Sequence, residues 1–194
     1  MTARLDAQMA FLNEADRLKS ILRGTTICDG SRAENSGEHS WHIALYAMIL
    51  ADQAAPDVDI NRVIKMLLIH DLVEIDAGDN PIFGDYDVAA TEAQEKRAAD
   101  RIFGLLPSDQ ATEFRALWDE FESAATADAK FAKSLDRFQP PNQNLASGGG
   151  TWIEYNVSLD RIQDRVGAKI AIGAPGLWAW IKPQIKAFFA QHAR

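Results

Sequence analysis

The chain has 194 residues, of which 47% are hydrophobic and 25% are charged. This composition is typical of a globular protein and excludes a disordered, collagen-like or disulfide-framework chain. The formal net charge of -8 repels the phosphates of a long nucleic acid, so we expect no nucleic-acid polymer as a partner. A small phosphorylated molecule held by one or two arginines and a metal ion is compatible with this charge.

Apolar residues recur at three- and four-residue spacing along most of the chain, which predicts a nearly all-helical protein. In chain order, we expect helices over about 3–22, 37–54 (N-cap Ser36), 60–74 (N-cap Asp59), 88–104 (N-cap Asp87), from Ser108 through Phe121, after the N-cap Thr126, and over about 158–170 and 176–192. Pro140-Pro141 is expected to interrupt the helix after Thr126. Residues 23–36 are expected to form a polar loop, 77–81 a turn and 147–150 a flexible loop, and no period-two strand pattern persists.

Length and linkers predict one all-α domain over 1–194, with a core over about 5–140 and C-terminal helices over about 158–192 packed on it. The single cysteine, Cys28, excludes an internal disulfide and favours a reducing cytosol. No basic-then-apolar leader opens the chain, and no apolar run approaches the ~20 residues that span a bilayer. We therefore expect a cytoplasmic protein without a membrane partner.

Three tryptophans near the C-terminus, Trp152, Trp178 and Trp180, have two interpretations. They either belong to the core, where aromatic residues at helical spacing usually lie, or serve a homodimer interface. The sequence leaves both open.

The segment His70-Asp71, with Glu74 and Asp79 after it, carries the strongest chemical signal. Residues four apart lie on one face of a helix, so the side chains of His70 and Glu74 are expected to point the same way. Apolar residues precede them, and a carboxylate buried among such residues needs a partner. A divalent cation is one such partner, because imidazole nitrogen and carboxylate oxygen bind zinc, manganese, cobalt and iron. The alternative is a helix end at which Asp71 and Glu74 meet water.

Two further segments carry candidate ligands. His39 and His42 are three residues apart, so both could reach one ion, or one could be a ligand and the other a core histidine. Asp136 lies beside an apolar stripe of a predicted helix, where it is either a ligand or an acid that is exposed or paired with arginine. Read separately, neither segment decides between these alternatives.

Taken together, His39, His70-Asp71 and Asp136 resemble the H…HD…D pattern of the HD-domain metal-dependent phosphohydrolases. Longer segments resemble the 5'-deoxynucleotidase branch of that superfamily: RAENSGEHSW at 32–41, HDLVEIDAGD at 70–79, and LWDEFE and ADAKFAKSLD at 117–122 and 127–136. The resemblance covers roughly residues 5–140. It implies a helical bundle with a metal site between core helices.

Position by position, the resemblance implies one divalent metal ion per chain, with ligands His39, His70, Asp71 and Asp136. Mn, Co, Zn, Fe, Ni and Mg are all left open. His42 is then expected behind the ligands or in the core.

The resemblance also implies a catalytic carboxylate at Glu74, and at Asp79 a carboxylate that acts in catalysis and binds substrate. Glu74 would orient a water molecule or protonate the leaving 5'-oxygen, and Asp79 would accept a hydrogen bond from the sugar 3'-hydroxyl. Arg23 and Arg32 are expected to bind phosphate, since a guanidinium can do so through two parallel hydrogen bonds. Gly24 stands where a bacterial member of the branch has a tryptophan.

These residues predict a phosphomonoesterase that releases phosphate from (deoxy)nucleoside 5'-monophosphates, with deoxy forms favoured and little preference for the base. One alternative keeps the site but changes the substrate to another phosphorylated small molecule, such as a nucleoside triphosphate, a cyclic dinucleotide or a non-nucleotide phosphate. The other alternative is a catalytically silent, metal-binding regulatory domain.

Overall fold

The structure is a computed structural model that describes residues 2–84 and 86–192. Most of these residues are helical, which confirms the predicted all-α class. The helices are α1 (Thr2–Ala15), α2 (Ser36–Ile49), α3 (Ile60–Ile69), α4 (Glu74–Ala77), α5 (Val88–Phe103), α6 (Ser108–Ser123), α7 (Ala127–Ala146), α8 (Thr151–Glu154), α9 (Leu159–Ile162), α10 (Ala168–Gly173) and α11 (Pro175–His192). Short 3₁₀ helices cover Asp16–Ser20, Ala51–Gln53 and His70–Val73, and a π-helical turn covers Gln163–Gly167.

Side-chain caps begin the helices that position the site. The caps of α3, α5 and α7 are the predicted Asp59, Asp87 and Thr126. For α2 the cap is Asn35 and not the predicted Ser36. Asn35 Oδ1 accepts from the Glu38 backbone N–H at 2.9 Å, and the Glu38 carboxylate accepts from the Asn35 N–H at 3.1 Å. This reciprocal pair frees the Ser36 side chain for the site described below.

Residues 23–36 differ from the predicted loop, because they contain a small antiparallel sheet. Strand β1 (Leu22–Thr26) pairs with β2 (Ala33–Asn35), with Leu22 opposite Asn35 and Thr26 opposite Ala33. The burial of β1 does not alternate and β2 has only three residues, so neither strand displays a period of two. The predicted helix over 3–22 likewise ends at Ala15 and continues only as a 3₁₀ turn.

Pro140 and Pro141 do not interrupt α7, which runs through both of them to Ala146. Proline has no N–H, so the carbonyls of Asp136 and Arg137, four residues earlier, lose their usual helical donors. The helix persists because it lies at the centre of the packing: α2, α3, α6, α10 and α11 all contact it. Tertiary burial here outweighs the local cost of proline.

The helix predicted over 60–74 is also divided, and the division falls at the chemical segment. α3 ends at Ile69, residues His70–Val73 form a 3₁₀ turn, and α4 begins at Glu74. Short 3₁₀ stretches inside helical segments often occur at functional positions.

One cluster of buried apolar side chains extends from Phe11 to Ile185. The C-terminal helices pack directly on α7: a Cβ added to Gly173 of α10 would lie 2.3 Å from the Lys130 carbonyl oxygen. Trp152 is in the core and Trp178 is half-buried, whereas Trp180 is 57% exposed and stays a candidate for an interface. Within the described ranges, no helix has the length and apolarity that crossing a membrane requires.

Candidate metal centre and active site

Two histidines and an aspartate from three different segments meet in the interior. His39 comes from α2, His70 from the 3₁₀ turn after α3, and Asp136 from α7. All three are buried, and one potential ligand atom of each lies within 4.8 Å of the others. The Asp136 Oδ1 atom is 3.2 Å from His39 Nε2 and 3.8 Å from His70 Nε2. The site therefore lies between core helices, as predicted.

The hydrogen bonds of both imidazoles direct their Nε2 atoms toward this cluster. His39 Nδ1 lies 3.1 Å from Gln139 Oε1, and His70 Nδ1 lies 2.8 Å from the Leu67 carbonyl oxygen. Both Nδ1 atoms face oxygens, so a neutral ring with its proton on Nδ1 would leave Nε2 free to bind a metal ion. His70 Nε2 is buried 2.9 Å from Asp71 Oδ1, and His39 Nε2 is 3.2 Å from Asp136 Oδ1. Two imidazole nitrogens that face carboxylates fit a divalent cation, and the mixed N and O donors suit Zn, Mn, Co or Fe.

Asp71 lies at the edge of this cluster. Its Oδ1 is 2.9 Å from His70 Nε2, and its Oδ2 accepts a hydrogen bond from Arg23 Nη1 at 2.9 Å. Burial alone would raise the pKa of Asp71, but its contact with His70 and the charge of Arg23 hold it below its usual value. Asp71 is therefore an ionised carboxylate in contact with one candidate ligand. Its role as a fourth ligand stays a prediction.

Arg23, on β1, is a largely buried cation surrounded by carboxylates. Besides Asp71, its Nη1 lies 3.7 Å from Asp79 Oδ1 and 3.8 Å from Glu74 Oε1, and its Nε lies 3.8 Å from Glu34 Oε2. Burial lowers the pKa of Arg23, but these negative charges more than offset it, so the pKa lies above its usual value. A permanent positive charge is thus held within the site.

Glu74, the first residue of α4, is buried beside Arg23. Its Oε2 accepts a hydrogen bond from Ser36 Oγ at 2.6 Å. Burial and the nearby charge of Asp71 raise the pKa of Glu74 well above its usual value. A carboxyl group that retains its proton in this way can act as an acid.

A cavity of about 280 Å³ opens onto these groups. Arg23, His70, Asp136 and Asp79 are part of its lining, and so is Tyr155, which follows α8. Its aromatic and apolar side also includes Phe83, Pro81, Pro140 and Trp152.

Gly24 lies in this cavity wall. A Cβ added to Gly24 would be 3.6 Å from Pro81, from Thr151 and from the Tyr155 hydroxyl. A methyl group would fit there, whereas a larger side chain would displace Tyr155 or Pro81.

Two residues singled out in the sequence lie apart from the cluster. Arg32 is exposed and its guanidinium pairs with Glu38 at 2.7 and 2.8 Å, so its role with phosphate stays a prediction with no contact to support it. His42 is half-buried behind His39, and its Nδ1 is 3.3 Å from Gln139 Nε2. That position agrees with the expectation that His42 lies behind the ligands.

Sequence reasoning missed four residues of the site: Ser36, Glu34, Gln139 and Gln143. The two glutamines follow Asp136 by three and seven residues, a spacing that places all three on one face of α7. That spacing was a usable signal. Glu34 precedes His39 by five residues across a strand and a helix cap, and no periodicity marks it.

These observations define the class of protein. It has a mainly helical fold that holds two histidines and an aspartate between its core helices. The chain belongs to the HD domain family, whose family model matches residues 15–178. This match confirms the resemblance to HD-domain proteins that the sequence predicted.

Individual relatives were also found. The chain is 30% identical over 130 residues to the 5'-deoxynucleotidase HDDC2 of Homo sapiens, a match that covers 66% of this chain and 62% of that protein. It is 28% identical over 134 residues to the 5'-deoxynucleotidase hdd1 of Schizosaccharomyces pombe, covering 66% of each. Less than two thirds of the human relative is therefore matched.

A crystal structure of a predicted metal-dependent phosphohydrolase from Magnetospirillum magnetotacticum has a TM-score of 0.91 and 47% identity to the chain, covering 97% of both.

Proposed function

We propose that this protein is a metal-dependent phosphomonoesterase that hydrolyses nucleoside 5'-monophosphates. The observation that carries the proposal is that His70 and Asp136 of the buried cluster line the same cavity as the guanidinium of Arg23. A phosphate in that cavity has a cation-binding cluster on one side and a permanent positive charge on the other. The names of the curated relatives, both 5'-deoxynucleotidases, support this substrate class.

We assign one divalent cation to His39, His70, Asp136 and Asp71. A bound divalent cation supplies Lewis-acid chemistry, because it stabilises charge on a phosphoryl oxygen and lowers the pKa of water toward about 7. The placement of His70 Nε2 is the feature that most favours such an ion, because this buried nitrogen lies 2.9 Å from Asp71 Oδ1 and 3.8 Å from Asp136 Oδ1. A cation among these atoms would balance the charge of both buried carboxylates.

The protein's own residues account for the remaining steps of the hydrolysis. Arg23 holds the phosphate through its guanidinium, and the oxygen of a water molecule forms a bond to phosphorus as the bond from phosphorus to the 5'-oxygen breaks. The leaving 5'-oxygen takes a proton that we assign to Glu74 Oε1, since Oε2 accepts from Ser36. Glu74 regains a proton from the attacking water, whose second proton stays on the inorganic phosphate. The products are a nucleoside and inorganic phosphate.

Asp79 is assigned to the sugar. Its carboxylate lies next to Arg23 and lines the cavity, so it would accept a hydrogen bond from a 3'-hydroxyl when the phosphate is bound beside Arg23. The 3'-hydroxyl is common to ribose and deoxyribose, so discrimination between them falls on a second effect, in which Asp79 disfavours an added 2'-hydroxyl. On that basis we propose a preference for deoxynucleotides, with little selection of the base.

Phosphate release from a panel of nucleotides tests the proposal, with Mn²⁺, Co²⁺, Zn²⁺, Fe²⁺, Ni²⁺ or Mg²⁺ added separately to metal-stripped protein. We expect activity on 5'-monophosphates, a ratio of kcat/KM favouring the deoxy form, and a smaller ratio in Asp79→Ala. His39→Ala should lose bound metal, and His42→Ala should keep it. No release from any 5'-monophosphate would overturn the nucleotidase assignment.

A further inference from the structure

Glu34, the middle residue of β2, is a buried carboxylate outside the set of ligands and substrate-binding groups. It is 1% exposed. Its Oε1 accepts hydrogen bonds from the amide groups of Gln139 and Gln143, both at 2.8 Å. Its Oε2 has no hydrogen bond within the described part of the chain. Burying a charged oxygen without a hydrogen bond is costly, so the placement of Oε2 needs a compensating role.

Two N–H groups face that oxygen. His39 Nδ1 lies 3.5 Å from Glu34 Oε2, and Arg23 Nε lies 3.8 Å from it. The Arg23 Nε is itself buried without a hydrogen bond among the residues described. A single carboxylate oxygen therefore lies between the histidine assigned to the metal and the arginine assigned to the phosphate.

The neighbours of Glu34 favour its anionic form, because the guanidinium of Arg23 is permanently charged and the amide groups of Gln139 and Gln143 donate to Oε1. An anion behind the Nδ1–H of a metal-binding imidazole makes Nε2 a stronger donor and fixes the ring orientation. The same anion faces the Nε end of Arg23, while Nη1 of that guanidinium donates to Asp71 at the cavity.

The geometry points to Glu34 as a positioning residue that sets the orientation of His39 and Arg23 together, and so couples metal affinity to phosphate binding. Gln139 completes the arrangement, because its Oε1 accepts from His39 Nδ1 while its amide group donates to Glu34. The part of this inference that concerns Arg23 and phosphate rests on the proposed function. The part that concerns His39 and the metal does not.

The test compares Glu34→Gln and Glu34→Asp with Gln143→Met, a buried control that removes one donor to Glu34 without touching His39 or Arg23. The affinity of each metal-stripped, full-length protein for Co²⁺ is measured by titration calorimetry, and the absorption spectrum of the Co²⁺ complex is recorded. KM and kcat are then measured with a deoxynucleoside 5'-monophosphate. Melting temperatures report the structural cost of each change.

Loss of a group that orients a metal ligand typically costs 10–100-fold in metal affinity or activity. We expect Glu34→Gln to weaken Co²⁺ binding by about tenfold or more, to change the Co²⁺ spectrum, and to raise KM more than it lowers kcat. Glu34→Asp keeps the negative charge on a side chain one methylene shorter. It should therefore weaken Co²⁺ binding in the same way as Glu34→Gln, but by a smaller factor. Gln143→Met should lower the melting temperature and leave Co²⁺ affinity within about threefold of wild type.

Wild-type Co²⁺ affinity in a folded Glu34→Gln would overturn the inference, and so would an equal loss in Gln143→Met. If Glu34→Gln does not fold, Glu34→Asp provides the test. A Glu34→Asp protein that binds Co²⁺ as tightly as Gln143→Met would contradict a positioning role. Failure of the wild-type protein to release phosphate would overturn the proposed function and leave the Co²⁺ comparison valid.

Discussion

Replacing Arg23 with methionine removes a positive charge that lies within 4 Å of four carboxylates, those of Asp71, Asp79, Glu74 and Glu34. Methionine fills most of the volume, so the change tests charge rather than packing. Breaking a buried ion pair by removing one partner costs about 3–5 kcal/mol. The Arg23 side chain is 12% exposed, so solvent screening reduces this cost only slightly.

For a chain of this size, about 1 kcal/mol shifts the melting temperature by roughly 2–4 °C. Arg23→Met should therefore melt about 6–20 °C below wild type when the protein is stripped of metal. A divalent cation at His39, His70 and Asp136 supplies positive charge to the same carboxylates, so added Mn²⁺ should recover part of the loss. Arg23→Lys keeps the positive charge but lacks the planar guanidinium, so its melting temperature should lie between those of Arg23→Met and wild type.

Thermal unfolding followed by circular dichroism, with and without Mn²⁺, measures these shifts. Arg4→Met is the matched control. Arg4 forms an exposed pair with Asp109 at 2.8 Å, and solvent screens such a pair, so Arg4→Met should melt close to wild type. A stripped Arg23→Met protein that melts within about 2 °C of wild type would refute the charge-balance argument.

Three further predictions concern single positions. Ser36→Ala removes the hydrogen bond to Glu74 Oε2 and should lower kcat about two- to tenfold with little change in metal content, since a hydrogen bond contributes about 0.5–1.5 kcal/mol; an unchanged kcat in steady-state kinetics would contradict it. Gly173→Ala places a methyl group against the Lys130 carbonyl and should lower the free energy of unfolding, measured with denaturant, by about 1–3 kcal/mol. Wild-type stability in this variant would show that α7 and α10 separate easily. Burial and a neighbouring carboxylate on α6 raise the pKa of half-buried Glu95, so the native state loses stability as pH rises from the usual value of 4.5 through the raised pKa. Glu95→Gln should therefore have a higher melting temperature than wild type at about pH 7.5 and the same melting temperature at about pH 4. A larger gain in melting temperature at the lower pH would contradict the raised pKa.

Much of the helical fold could be predicted from the period of the apolar residues, and for α3, α5 and α7 also from their caps, Asp59, Asp87 and Thr126. The sheet could not be predicted, since β1 does not alternate in burial and β2 has only three residues. Pro140-Pro141 misled the prediction because the local penalty of proline is visible in the sequence, while the packing of α7 that offsets it is not.

The candidate ligands could be found in the sequence because they lie in short segments whose order matches a known pattern. The residues that orient these ligands could not be found, because each acts through a partner far away in the chain. The Glu34 contacts with Gln139 and Gln143 join residues 105 and 109 positions apart. Ser36 was read as a cap because a cap is a local role, whereas its observed partner, Glu74, is 38 residues away.

The position of α7 has a consequence for how the protein is made. His39 meets Asp136 across 97 residues and Gln139 across 100, so the centre cannot form until α7 has left the ribosome. At about 5–20 residues per second, synthesis of that interval takes roughly 5–20 s. During this time His39 and Glu34 lack their partners on α7, and the high sequence separation of these contacts slows the final closure. Loading of the proposed metal ion would therefore be a late event in biogenesis, and a ribosome that stalls before α7 leaves a chain that holds the histidines but has no centre to hold an ion.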